Sequence, residues 1–254
     1  MYNPRKIELC CERLQETTST NDYLKQRCKE DKAKEFYTVI AECQTNGKGQ
    51  RGNCWESEEG KNLTFSTVIY PTALEAKKHF IISAIASYVV YEALAQYTSG
   101  FSIKWPNDLY WHDKKIGGIL IENDMEGKYI TQSIIGIGIN VNQLNFLSDA
   151  PNPVSLAQIT GAKIERKELF AKIIQGLISG YLQLEHDITQ TEHIIQILYQ
   201  KVLYRRNGMH PYRDAKGCFS AQIHKVEPNG YLVLKDEQNM LRKYAFKEVE
   251  FIIP

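Results

Sequence analysis

A chain of 254 residues, 43% hydrophobic and 24% charged, can bury one substantial core and still carry a small second domain. Its formal net charge of +1 argues against a dedicated duplex-DNA protein, while leaving room for a local basic patch. No apolar run reaches the length needed to span a bilayer, and the opening Met-Tyr-Asn-Pro-Arg-Lys-Ile-Glu lacks a signal-peptide apolar region, so a cytoplasmic address is expected.

Strand and helix signals alternate over the first two hundred residues. Ile7 to Gln15 reads as a strand, followed by Thr17-Thr18-Ser19-Thr20 and a helix to about Lys34. Tyr37 to Cys43 is a β-branched apolar strand entering a glycine-rich loop. Leu63 to Tyr70 alternates as a strand and stops at Pro71. Lys78 to Tyr97 carries a helical stripe through Ile81, Ile85, Tyr88 and Val89, with Gly100 just past its end. Phe101 to Trp105, Leu109 to Glu122 with a turn near Asp113, and Tyr129 to Asn140 read as antiparallel hairpin strands. A polar loop covers Asn142 to Pro153. Leu169, Phe170, Ile173, Ile174, Leu177, Ile178 and Tyr181 make an amphipathic helix, and Glu192 to Tyr199 a shorter one. From Val202 the pattern changes to short strands broken by Asp214-Ala-Lys-Gly217, Pro228-Asn-Gly230 and Asp236-Glu-Gln-Asn239. The expected architecture is α+β, with residues 1–200 as the main domain and residues 201–254 as a small appended β-barrel.

The six cysteines, Cys10, Cys11, Cys28, Cys43, Cys54 and Cys218, show no C-x-x-C pair and no zinc-type histidine pattern. Reduced thiols are expected.

Several segments bear on chemistry, and each also has a purely structural reading. Asn46 to Trp55 combines glycines at 47, 49 and 52, expected to take positive φ, with Lys48, Arg51 and the flat Trp55. Such a loop suits an anionic, partly planar small molecule, or is a plain connection. Lys104-Trp-Pro-Asn-Asp108 makes a good type I turn. Lys115-Ile-Gly-Gly-Ile-Leu120 fits a strand leaving a hairpin. Ser19-Thr20-Asn21-Asp22 fits a helix cap, and Gly136-x-Gly-x-Asn140 a tightly packed core strand.

Taken together and in this order, Ser19-Thr20-Asn21, Glu42-x-Gln44 with the loop to Trp55, Lys104-Trp-Pro-Asn-Asp108, Lys115-x-Gly-Gly-Ile-Leu-x-Glu122 and Gly136-x-Gly-x-Asn140 resemble the biotin protein ligase family over nearly the whole chain. The resemblance implies a class II synthetase-like domain, a mixed or antiparallel sheet with flanking helices, followed by an SH3-like barrel. It implies a two-step reaction: biotin and ATP give biotinyl-AMP, and the biotinyl group passes to one lysine of a biotin carboxyl carrier protein. Ser19, Thr20, Asn21 and Gln44 offer donors and acceptors suited to the ureido ring, and Gly49, Gln50, Lys115, Gly117 and Gly118 complete the implied biotin site. Lys115 is the leading candidate for bringing carboxylate and α-phosphate together, with Lys104 as second cation. Asp108 is a candidate Mg²⁺ ligand, orienter of Lys104, or proton acceptor in the transfer step. Lys48, Gly49, Gln50, Arg51, Trp55, Asn107, Lys115 and Asn140 form the implied nucleotide and phosphate set.

The family's loop commonly reads Gly-Arg-Gly-Arg, whereas here it reads Gly47-Lys48-Gly49-Gln50, so faster leakage of biotinyl-AMP is expected. The eighteen residues before Ser19 leave no room for the helix-turn-helix of DNA-binding relatives, so no DNA partner is expected. An exposed strand near Tyr129 to Asn140 is a candidate homodimer edge. The enzymatic alternative is a lipoate ligase or octanoyl transferase, whose Arg-Arg-x-Ser/Thr-Gly-Gly-type segment is lacking here. Two further alternatives are an RNA-binding module around Lys201, Arg205, Arg206, His210, Arg213 and Lys216, and a non-catalytic biotin-binding protein.

Overall fold

The computed structural model describes residues 7–31, 33–49, 54–147 and 152–253. A seven-stranded sheet forms the frame of the first two hundred residues, in the order β1-β2-β3-β7-β6-β5-β4. β1 (Cys11–Thr17) and β2 (Thr38–Gln44) pair in parallel, because α1 (Thr20–Asp31) carries the chain back across the sheet between them. β3 (Leu63–Ile69), β4 (Phe101–Lys104), β5 (Asp108–Trp111), β6 (Lys114–Glu126) and β7 (Tyr129–Ile139) are joined by antiparallel pairings. β1 starts later than Ile7 because its first partner, opposite Cys11, is Thr38 at the start of β2. β7 corrects the expected dimer edge: it lies between β3 and β6 with both sides hydrogen-bonded, and the sheet ends at β1 and β4 instead.

Every residue of β3 is buried, since both faces of the strand are covered. Leu63, Phe65 and Ile69 face the main core beneath α2 (Phe80–Ala95) and α4 (Arg166–His186). Val68 joins Leu24 of α1 in a smaller cluster on the opposite face, and Thr64 and Ser66 share that face by the period-two rule. α2 is buried well beyond its expected stripe: Ile81 and Ile85 are enclosed, but so are Ile82, Ala86 and Val90. The cause is its position between the sheet and the two helices α4 and α5 (Ile188–Lys201). A short α3 (Leu156–Thr160), capped by Ser155 in a reciprocal box with Gln158, follows the polar loop.

Phe65 is fully enclosed and meets Phe170 edge-on at 5.1 Å between ring centroids. Its truncation leaves a cavity in the central sheet, so Phe65→Ala is expected to cost about 3–5 kcal/mol. A urea titration measures this; a change below about 1 kcal/mol would contradict the core assignment.

The C-terminal residues form a five-stranded antiparallel sheet, β11-β10-β9-β8-β12, from β8 (His210–Asp214), β9 (Gly217–Val226), β10 (Leu232–Asp236), β11 (Leu241–Tyr244) and β12 (Glu250–Phe251). The three polar breaks read in the sequence fall at its β8–β9, β9–β10 and β10–β11 turns. One apolar cluster runs through both sheets. Residues 202–204 bridge β4, with Ile103 N donating to Val202 O and Tyr204 N to Ile103 O. Trp105 Nε1 donates to Gly230 O at 2.9 Å, and its ring meets Phe246. The second sheet therefore rests against the Lys104–Asp108 turn. No helix among the described residues is long and apolar enough to cross a membrane.

Candidate active site

A cavity of about 290 Å³ opens at the ends of α1, β2, β6 and β7 and the β4–β5 turn. Ser19, Thr20, Asn21, Gln44, Lys48, Gly49, Trp55, Lys104, Asn107, Asp108, Lys115 and Gly118 all line it, so most of the residues singled out by sequence converge. Gly117 and Asn140 do not line it. A Cβ on Gly117 would meet Gly138 O, and Asn140 Nδ2 donates to Val154 O, anchoring the chain ahead of α3. Gln50 and Arg51 lie outside the described residues, as does Gly52.

At one end the cavity wall is neutral and polar. Gln44 Oε1 accepts from Thr20 N at 2.8 Å and Thr20 Oγ1 at 3.1 Å. The Asn21 carboxamide is held at both atoms: Nδ2 donates to Glu122 Oε2 at 2.8 Å, and Oδ1 accepts from Ser66 Oγ at 2.6 Å. Ser66 Oγ also lies 2.7 Å from Thr20 Oγ1. Ser19, Thr20, Asn21 and Ser66 are all buried. Buried polar groups are tolerated only when partnered, so this network fixes which donors and acceptors face the cavity. Ser66 and Thr64 were not singled out from the sequence, and Glu122 was read only as the end of the Lys115-x-Gly-Gly-Ile-Leu-x-Glu122 stretch, with no site role. The available signal was the pair Thr64 and Ser66 on one face of an otherwise apolar strand.

Two glycines of β7 make the room. A Cβ on Gly136 would overlap the Asn21 carboxamide oxygen, and one on Gly138 would come within 2.5 Å of the Trp55 indole. Trp55 Nε1 is a buried donor on that wall without a partner among the described residues. The start of the glycine-rich loop closes on itself, Trp55 N donating to Gly47 O at 2.8 Å. Gly47 does not take positive φ, correcting that expectation; a Cβ there would approach Trp55 O at 2.5 Å, so close approach is the reason for glycine.

The other end is cationic. Lys104 stands opposite Asp108 in the β4–β5 pairing, and Asp108 opposite Gly118 in β5–β6. In a regular strand residues 115 and 118 would face opposite sides of the sheet. A register shift at Leu109/Tyr110 pairs Tyr110 with Lys115 but Leu109 with Gly117, and this bulge turns Lys115 onto the Gly118 side. Lys115 Nζ then reaches Asp108 Oδ1 at 2.8 Å above Gly118. Burial pushes the Lys104 ammonium below the ordinary lysine range, Asp108 opposing the shift and Lys115 adding to it. Lys48 forms an ion pair with Asp22 at 2.7 Å, and that hydrogen bond holds its ammonium above the ordinary range. Asn107 is buried and donates to Ile119 O at 2.6 Å, and the turn contains a cis Trp105–Pro106 peptide, which a type I turn does not.

A second groove of about 530 Å³ shares Trp105, Asn107, Leu120 and Phe246 with this cavity and runs between the two sheets. In the basic stretch of the C-terminal part, Arg205 and Arg206 are tied to backbone carbonyls, while Lys201, Arg213 and Lys216 are exposed. Arg205 donates to Ile252 O, Arg206 to Ile223 O, and Arg213 pairs with Glu250. Among the described residues no group of three His, Cys, Asp or Glu assembles as a metal site.

A family model described as the biotin/lipoate A/B protein ligase family matches residues 13–140, just over half of the chain. The bifunctional ligase/repressor BirA of Bacillus spizizenii is 30% identical over 221 residues, covering 84% of this chain and 66% of that protein. The biotin–[acetyl-CoA-carboxylase] ligase of Paracoccus denitrificans is 28% identical over 159 residues, 58% of this chain and 63% of that one. The chain thus spans just under two thirds of the length of these curated relatives. A crystal structure of the Aquifex aeolicus biotin protein ligase with biotin and ATP superposes with a TM-score of 0.77 at 25% identity, covering 96% of this chain and 99% of that one.

Proposed function

Since the chain belongs to the biotin/lipoate A/B protein ligase family, we propose that it activates biotin with ATP and transfers the biotinyl group to a lysine of a biotin carboxyl carrier protein. The observation that carries this reading is one cavity with a neutral hydrogen-bonding end and a cationic end, as a ligand with a ureido ring and a carboxylate requires. Ser19, Thr20, Asn21 and Gln44, with Ser66 and Glu122 holding Asn21, would recognise the ureido ring. The biotin carboxylate attacks the α-phosphorus and pyrophosphate leaves. Both reactants are anions, and the ammonium groups of Lys115 and Lys104 offset their repulsion while stabilising charge on the phosphorus oxygens. With no carboxylate cluster among the described residues, Mg²⁺ would be held chiefly by the nucleotide's phosphates and water, Asp108 being the carboxylate at hand.

In the second step the acceptor amine attacks the mixed anhydride and AMP leaves. At a reference pKa near 10.4 only about one lysine in a few thousand is neutral at pH 7, so a proton acceptor helps. Asp108, held 2.8 Å from Lys115 Nζ, is our candidate for that role, and the groove between the sheets would be the acceptor's route to the cavity. Asp108→Asn is expected to slow transfer from preformed biotinyl-AMP by about 10²-fold. Adenylate formed slowly but transferred at the normal rate would contradict this role.

Biotin-dependent ATP–pyrophosphate exchange, run beside an arm with lipoate, tests the function; exchange driven by lipoate alone would overturn it. Retention of the intermediate is a separate matter. With Gln50 where the resemblance to the family's usual Gly-Arg-Gly-Arg loop implies an arginine, biotinyl-AMP is expected to leave faster than from Gln50→Arg. Equal release half-lives in the two proteins would refute that expectation.

A further inference from the structure

Lys104, unlike Lys115 and Lys48, forms no ion pair within 4.0 Å among the described residues. Its ammonium lies instead over two aromatic rings, Tyr110 of β5 at 5.5 Å and Phe251 of β12 at 5.1 Å. Both distances fall inside the range of cation–π attraction. Phe251 belongs to the C-terminal sheet, more than a hundred residues from the turn it touches. It is held by Tyr212, 4.9 Å away and edge-on, and its carboxyl-side neighbour Ile252 accepts from Arg205 at 2.9 Å.

We infer that Phe251 is a positioning residue: its ring holds the Lys104 ammonium at the junction of carboxylate and phosphate, so the C-terminal sheet completes the activation site. This rests on the ligase reading given above. The two rings cover one side of a lysine whose other charged neighbours are Asp108 from β5, Lys115 from β6, Arg205 after α5 and Glu250 from β12. Asp108 is shared with Lys115, and Glu250 with Arg213. The rings therefore supply direct attraction to the charged form where burial disfavours it.

Phe251→Leu keeps the apolar cover and removes the ring's attraction, whereas Phe251→Tyr keeps both. In the full-length protein, kcat for biotin-dependent pyrophosphate exchange is expected to fall about tenfold in F251L, with the KM for biotin nearly unchanged and F251Y close to wild type. Without the ring the charged amine is less favoured, so the alkaline limb of the rate should move to lower pH. Titration of the Lys104 side chain by NMR in lysine-labelled protein should move the same way. F251M carries the same test if F251L does not fold. An active wild type whose F251L variant keeps its rate and its Lys104 titration overturns this inference alone, as does an F251Y protein as impaired as F251L. A wild type without biotin-dependent exchange overturns the ligase reading and this inference with it.

Discussion

Lys115→Gln is expected to lower kcat/KM for biotin-dependent pyrophosphate exchange by about 10²–10³-fold, the largest kinetic effect among single substitutions in this site. The amide keeps most of the side-chain length but removes the charge that lets a carboxylate approach a phosphate. It also leaves the Asp108 carboxylate, now 2.8 Å from Lys115 Nζ, without its ammonium partner at the same junction. Stability should change by less than about 1 kcal/mol, since the pair is partly open to solvent. The comparison of interest is therefore rate at constant fold. Exchange within a few-fold of wild type would remove Lys115 from the chemistry.

Gly136→Ala should act at the other end of the cavity and on binding. Gly136 lies in β7, paired with Ser66 on one side and Leu120 on the other, so its backbone cannot retreat. A methyl group there overlaps the Asn21 carboxamide oxygen. The amide must swing out, losing its bonds to Ser66 and Glu122. Buried groups left unsatisfied cost about 1–3 kcal/mol, so the KM for biotin is expected to rise about 10–100-fold while the KM for ATP changes little. A double-mutant cycle identifies the route: added to Asn21→Ala, the Gly136 substitution should do little further harm. Additive losses, or an unchanged biotin KM, would show that the close approach of Gly136 and Asn21 does not govern binding.

Much of the frame was legible because local signals agreed with the tertiary solution. β2, β3 and β7 fall close to their expected spans, and α4 follows its apolar stripe, because each buries one or both faces in a way the residue pattern reports. The misses have physical causes. The expected dimer edge failed because periodicity says which face of a strand is buried and nothing about which strands lie beside it. The stripe on α2 was too narrow because a helix enclosed on several sides shows no single apolar face.

By itself the sequence determined the chemical inventory: the polar run Ser19 to Asn21, the lysines at 104 and 115, Asp108, and a β7 segment free of side chains at Gly136 and Gly138. Those are properties of residue type and order, and they survive any error in element boundaries. Only the tertiary structure decided how the inventory is aimed. The bulge opposite Leu109 and Tyr110 puts Lys115 on the same side as Gly118, against the ordinary alternation of a strand. Ser66 and Glu122, forty-five and one hundred and one residues from Asn21, fix the orientation of its amide. Phe251 reaches Lys104 from the far end of the chain. Each depends on register and strand order, which follow from burying both faces of the sheet at once, a condition that no stretch of sequence contains alone.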